Sequence, residues 1–115
     1  MIKSFIRKSE KLIRKMEICL DLCEKIVFGL DFLDPTEVPG IDIQKHRNNF
    51  EHRIKEISES INLIKEDIQT AKRVEIKDIY NLIESINRVN ELDKYYTELI
   101  PKLMYIVNKL SLSQI

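Results

Sequence analysis

Two histidines, His46 and His52, and two cysteines, Cys19 and Cys23, are the residues of this chain best suited to proton transfer, nucleophilic attack or metal ligation. Metal sites inside helical bundles usually draw on Glu-x-x-His pairs, and the sequence has none. His52 and Glu56, four apart, can share a metal or, more simply, form an ion pair along a helix face. Cys19 and Cys23 are also four apart. On a helix that spacing stacks them on one face with parallel Cβ vectors, which suits a disulfide poorly. Reduced, core-filling thiols are the leading reading, and a redox or metal-sensing pair is the alternative. Two glycines cannot build a phosphate-cradling loop, and no cofactor motif is present.

One short string has a more specific look. Arg47-Asn48-Asn49-Phe50-Glu51-His52 resembles the signature of HEPN domains, small all-helical and usually dimeric modules. Their motif is an Arg, often a polar residue such as Asn, three variable residues and a His. The resemblance implies a ribonuclease in which Arg47 and His52 from two protomers line a cleft, with Asn48 as their positioning partner. The chemistry is reasonable, because His moves protons near neutral pH and Arg stabilises charge on a phosphate. The match covers six of 115 residues and departs from the family at Glu51, where an apolar residue is usual. A polar first turn of a helix explains the same string.

Charge carries a second set of readings. Lysine plus arginine and aspartate plus glutamate both number 19, so the formal net charge is zero and bulk charge points to neither nucleic acid nor anionic lipid. The distribution is uneven. Residues 1–16 hold six basic side chains against Glu10 alone, while residues 17–42 hold seven acids against Lys25 alone. Lys3, Arg7, Lys11 and Arg14 therefore make candidate binding residues. They suit a phosphate backbone, an anionic membrane surface, or an acidic protein face such as the acidic half of the same helix in a second, antiparallel chain. Base stacking is unsupported, since only Phe5 interleaves the basic residues. Tyr95 and Tyr105 are candidate partner anchors, because tyrosine is enriched at interface hot spots.

The elements that hold these residues follow from apolar spacing. Phe50, Ile54, Ile57, Ile61, Ile64, Ile68 and Ala71 alternate by four and three, the mean 3.5-residue repeat of a helix burying one narrow seam. A wider stripe runs from Ile2 to Leu30, interrupted only by Ser9 and broadened after Met16 by Ile18, Leu22 and Phe28. A third stripe includes Ile76, Ile79, Tyr80, Leu82, Ile83, Val89, Tyr96, Leu99, Leu103 and Leu110. Pro101 falls inside it and predicts a kink, or the start of a short fourth helix. Asp34-Pro35 stops the first helix, and Asp42 is a plausible N-cap for the second. Phe32, Leu33 and Val38, in the loop between them, are placed as a lid over one end.

The sequence thus predicts an all-α, single-domain antiparallel bundle of three long helices, at 2–30, 43–72 and 76–112, with a loop at 31–41. No apolar run is long enough to cross a membrane, and the basic N-terminus lacks a signal-peptide core. A cytoplasmic location follows as the expectation. Ile18, Leu22, Phe28, Leu63, Tyr95 and Tyr105 are left over from the seams and predict a partner protein or a homodimer. The functional expectation is a non-enzymatic interaction module, namely an adaptor, subunit, inhibitor or regulator. The alternative is a nucleic-acid binder through the basic helix, or the HEPN-like ribonuclease.

Overall fold

A computed structural model describes residues 2–34, 36, 39–73 and 79–113, without the side chains of residues 112 and 113. Among the described residues there are three helices: α1 (Ile2–Leu30), α2 (Ile43–Lys72) and α3 (Ile79–Ser113). No strand occurs among the described residues. No helix is long and apolar enough to cross a membrane. The rod measures 61 × 20 × 17 Å. α2 runs back along α1, and α3 returns parallel to α1, so the bundle is all-α and up-down-up.

α1 is the central element. Its buried residues Phe5, Ser9, Leu12, Met16, Cys19, Cys23, Ile26 and Leu30 form one unbroken four-three line. Ser9 belongs to that line rather than interrupting it. It is fully buried, and its hydroxyl donates to the Phe5 carbonyl one turn back at 2.8 Å. A hydroxyl satisfied locally can occupy a core position at little cost. Both α2 and α3 pack closely along α1, whereas α2 and α3 barely touch each other.

α2 is held at its start by Asp42, whose carboxylate accepts from the Lys45 N–H at 3.0 Å. Ile57, Ile61, Ile64, Ile68 and Ala71 of its seam are buried, while Phe50 and Ile54 pack against the core half-covered. Two residues before that cap, Gly40 takes φ +87°, a left-handed conformation that glycine adopts without strain. Asp34 closes a local turn by accepting from the Thr36 N–H at 2.8 Å and hydroxyl at 2.7 Å. Those bonds hold the Asp34 carboxyl below its ordinary range.

Three expectations change. α3 is continuous through Pro101, so no separate helix begins there. Proline deprives the Thr97 carbonyl of its backbone donor and costs about 3 kcal/mol in a helix interior. Leu99 and Leu103, both buried on either side of it, keep the helix seated. The loop residues do not all close over the bundle. Leu33 packs on the core, but Phe32 is exposed and stacks edge-on against Phe28 at 4.9 Å. Val38 lies outside the described residues, as do residues 74–78, Ile76 among them. Ile79, Tyr80 and Ile83 are exposed rather than buried, Tyr80 at 79%. Phe5 and Ser4 lie alongside Ile86 and Val89, so the parallel register leaves little of α1 beside the first turn of α3.

Among the described residues, each pair of helices also carries one ion pair. Lys15 Nζ of α1 sits 2.7 Å from Asp93 and 2.9 Å from the Thr97 hydroxyl of α3. Arg88 of α3 lies 2.7 Å from Asp67 of α2. Arg47 Nε of α2 lies 2.8 Å from Asp31, just past α1, as a charge contact whose N–H is not directed at the oxygen.

Because the α1 seam serves two neighbours, truncating it should cost far more than truncating the periphery. Leu12→Ala should lose about 2–5 kcal/mol of unfolding free energy in urea titration. Leu63→Ala, at an exposed position, should stay within about 0.5 kcal/mol of the parent.

Candidate functional site

One surface able to accept another molecule is the gap that α2 and α3 leave between them. It forms a groove of about 420 Å³. Ile57 and Leu63 of α2 and Tyr95, Tyr96 and Leu99 of α3 supply its apolar lining, and Arg53, Glu56, Glu59 and Ser60 its polar edge. The second line of α2 explains the placement. Arg53, Glu56, Ser60, Leu63 and Asp67 recur by three and four, one side-step around the helix from the isoleucine seam. Among the described residues, only Asp67 of that line meets an ionic partner on α3, at Arg88.

Tyr96 forms the deep part of the groove. It is 4% exposed, and burial pushes its phenol above the ordinary range while hydrogen bonding to Ser60 pulls the other way. Tyr95 stands edge-on to it with ring centroids 5.1 Å apart, half-exposed on the outer edge. The Cys19 thiol adds to the Tyr96 shift, and Arg53 acts on Cys23, so the two thiols lie close below this part of the bundle.

Cys19 and Cys23 are free, fully buried members of the α1 seam. Burial pushes both thiols from 9.0 up to about 11. A thiol is a nucleophile only as thiolate, so these two are chemically quiet at neutral pH. The core-filling role is the one their placement supports. Among the described residues, no group of three or more His, Cys, Asp or Glu side chains converges on a point.

The candidates from the HEPN-like string are placed apart. Arg47 is half-buried between Asp31 at 2.8 Å and Glu51 at 3.5 Å. His52 projects into solvent and pairs with Glu56 at 2.9 Å. Five residues of helix turn them about 140° apart around α2. Asn48 is exposed, and its side chain accepts from Gln44 at 2.8 Å rather than engaging either of them. Within one chain, therefore, the three do not form a cleft. His46 is exposed at the start of α2.

Lys3, Arg7, Lys11 and Arg14 are spread along the outer side of α1, away from the buried seam. Lys15, the last of the basic run, is taken up by Asp93 and Thr97 instead. Tyr105 is exposed on α3, with the Lys109 ammonium 5.3 Å above its ring. Of the residues the sequence singled out for chemistry or contact, Tyr95, Leu63 and Glu56 line the groove. Arg53, Glu59, Ser60 and Tyr96 were not among them. The three-four line through Arg53, Glu56, Ser60 and Leu63 is the sequence signal that marks α2's share of the groove. Nothing in the sequence says that α3 stands across from it.

The raised thiols set a pH dependence. The folded chain keeps both protons after the unfolded chain has lost them, so the stability they confer is complete below pH 9 and is lost as pH rises from 9 toward 11. The urea midpoint should fall across that window, and the fall should be shallower in Cys19→Ala/Cys23→Ala. Native thiols should also react with a disulfide reagent at pH 8 much more slowly than thiols in the urea-unfolded chain.

Compared with protein-family models, with curated proteins and with solved structures, the chain matches none significantly.

Proposed function

We propose that this protein is a non-enzymatic interaction module whose α2–α3 groove receives an amphipathic helix of a partner protein. The observation that carries the reading is the asymmetry of the bundle. α1 is packed on two sides, yet α2 and α3 hardly touch, and apolar side chains line the gap. A helix laid in such a gap would complete a four-helix arrangement, with its apolar stripe over Leu63, Tyr95 and Leu99. Glu56 and Glu59 on the edge favour basic residues flanking that stripe. Tyr95 presents a large ring with few rotatable bonds, the type of side chain that anchors interfaces.

The test is capture of partners by the tagged protein from host lysate, with and without nuclease, set beside the Leu63→Asp/Tyr95→Ala variant. The reading expects a nuclease-resistant protein partner that the variant loses at least tenfold while its melting temperature holds. A partner retained equally by the variant overturns the groove. Capture that vanishes with nuclease transfers the reading to the basic end of α1, where Lys3, Arg7, Lys11 and Arg14 would track a phosphate backbone. In that case their replacement by Glu should abolish the capture.

A further inference from the structure

α1 turns its core seam to α2 and α3 and leaves its opposite side bare over its whole length. That bare side has a heptad line of its own. Lys3, Arg7, Glu10, Arg14, Asp21, Lys25 and Phe28 follow steps of four, three or seven, and Phe32 continues the line into the turn after α1. Phe28 and Phe32 are 64% and 63% exposed, yet they pack edge-on against each other as a contiguous apolar patch. Their position at the outer end of α1 gives them no part in the core.

We propose that this face recognises itself: two copies of the chain pair through α1, antiparallel, about a two-fold axis between Glu17 and Ile18. In that alignment the line is complementary to its own reverse. Arg14 meets the second copy's Asp21, and Glu10 meets its Lys25, as opposite charges. Arg7 meets the second copy's Phe28 and Lys3 its Phe32, as cations over aromatic rings. The two-fold axis repeats every one of these contacts. The uneven charge of α1, basic before Met16 and acidic after it, is what an antiparallel pairing superposes with opposite sign.

The neighbouring alignments are excluded by the same charges. A shift of one heptad toward the C-terminus sets Asp21 against itself. A shift toward the N-terminus sets Arg14 against itself and Lys3 against Lys25. The Asp21–Lys25 pair within one chain, 3.0 Å and well exposed, is no obstacle, since exposed pairs of this kind hold their geometry weakly. This self-complementarity commits the surface to a second copy, because an unrelated partner gives no reason for the line to read as its own reverse complement.

The size of the contact sets its strength. A helix of 29 residues is about 44 Å long, and a strip about 10 Å wide along it offers roughly 440 Å² per copy. That falls below the ~800 Å² per partner of standard stable interfaces. The dimer is therefore weak, reversible and sensitive to salt. It uses a face opposite the α2–α3 groove and does not depend on the reading of that groove.

Sedimentation velocity over a concentration series, at 50 mM and 1 M salt, tests the proposal. The wild type should show a monomer–dimer equilibrium at 50 mM salt that weakens at 1 M. Arg14→Glu and Asp21→Arg should each weaken dimerisation at least tenfold, because each sets like charges together twice. An equimolar mixture of the two variants should dimerise again. The new carboxylate at position 14 of one copy then faces the new guanidinium at position 21 of the other, and the remaining Asp21 and Arg14 still match. Phe28→Ala/Phe32→Ala should weaken the dimer without changing its salt dependence. Both charge variants are at exposed positions, and unchanged melting curves confirm the fold. A wild type that stays monomeric to millimolar concentration, a dimer indifferent to either charge variant, or a mixture that fails to associate overturns the proposal.

Discussion

The heptad line on α1 is the interaction on which the rest of the molecule rests. Phe5, Leu12, Met16, Cys19, Cys23 and Ile26 are buried to 3% exposure or less, and they face two helices at once. Neither α2 nor α3 has another partner of comparable extent. Burying apolar area at about 25 cal/mol per Å² is the dominant favourable contribution to folding, and here nearly all of it passes through one helix. Small and large side chains share that line, with Ser9, Cys19 and Cys23 set among Phe5, Leu12, Met16 and Ile26, all closely covered.

Polar groups then fix what the apolar seam leaves loose. A seam of isoleucines sets a helix on its neighbour but specifies axial position weakly, because one heptad resembles the next. The three inter-helix ion pairs each act at one point: Lys15 with Asp93, Arg88 with Asp67, and Arg47 with Asp31. Arg88–Asp67 has the most buried member, since the Asp67 side chain is only 14% exposed. It ties together the two helices with the least apolar contact between them. Charge pairs of this kind contribute register more than stability. The Pro101 defect is tolerated for a related reason: Leu99 and Leu103 are seated before and after it, so the helix has nowhere else to go.

The same asymmetry creates the surfaces through which the protein can meet others. A bundle in which all three helices packed equally would have no groove. Here Tyr96 reaches toward Ser60 while Tyr95 and Leu63 are left at the edge. A central helix packed on one side leaves the other side open along its full length, and on α1 that side ends in the Phe28–Phe32 pair. The groove mixes apolar side chains with a polar edge of Arg53, Glu56, Glu59 and Ser60, and the outer face of α1 is charged with an aromatic end. The two surfaces differ in chemistry as well as in position, and each would select a different kind of contact.

Much of the architecture is legible in the chain alone. The four-three spacing from Phe50 to Ala71 admits only a helix, and the scarcity of Gly and Pro leaves few places to turn, so the all-α class follows from periodicity. The apolar residues outside the seams are legible too. Ile18, Phe28, Leu63, Tyr95 and Tyr105 are exposed, although Leu22 is half-buried. Periodicity says which side of a helix is buried but not against what. That α1 is central and α2 and α3 stand apart depends on the packing of three stripes together, which no single stripe encodes. Ser9 entered the core because its hydroxyl found a carbonyl one turn back, a bond invisible to a hydrophobic pattern. Ile79, Tyr80 and Ile83 stayed out because the parallel register of α3 left little of α1 beside them. The groove lies between residues more than thirty positions apart in the chain, so its α2 line could be read from spacing, while its existence was decided only by the distance the tertiary fold keeps between two helices.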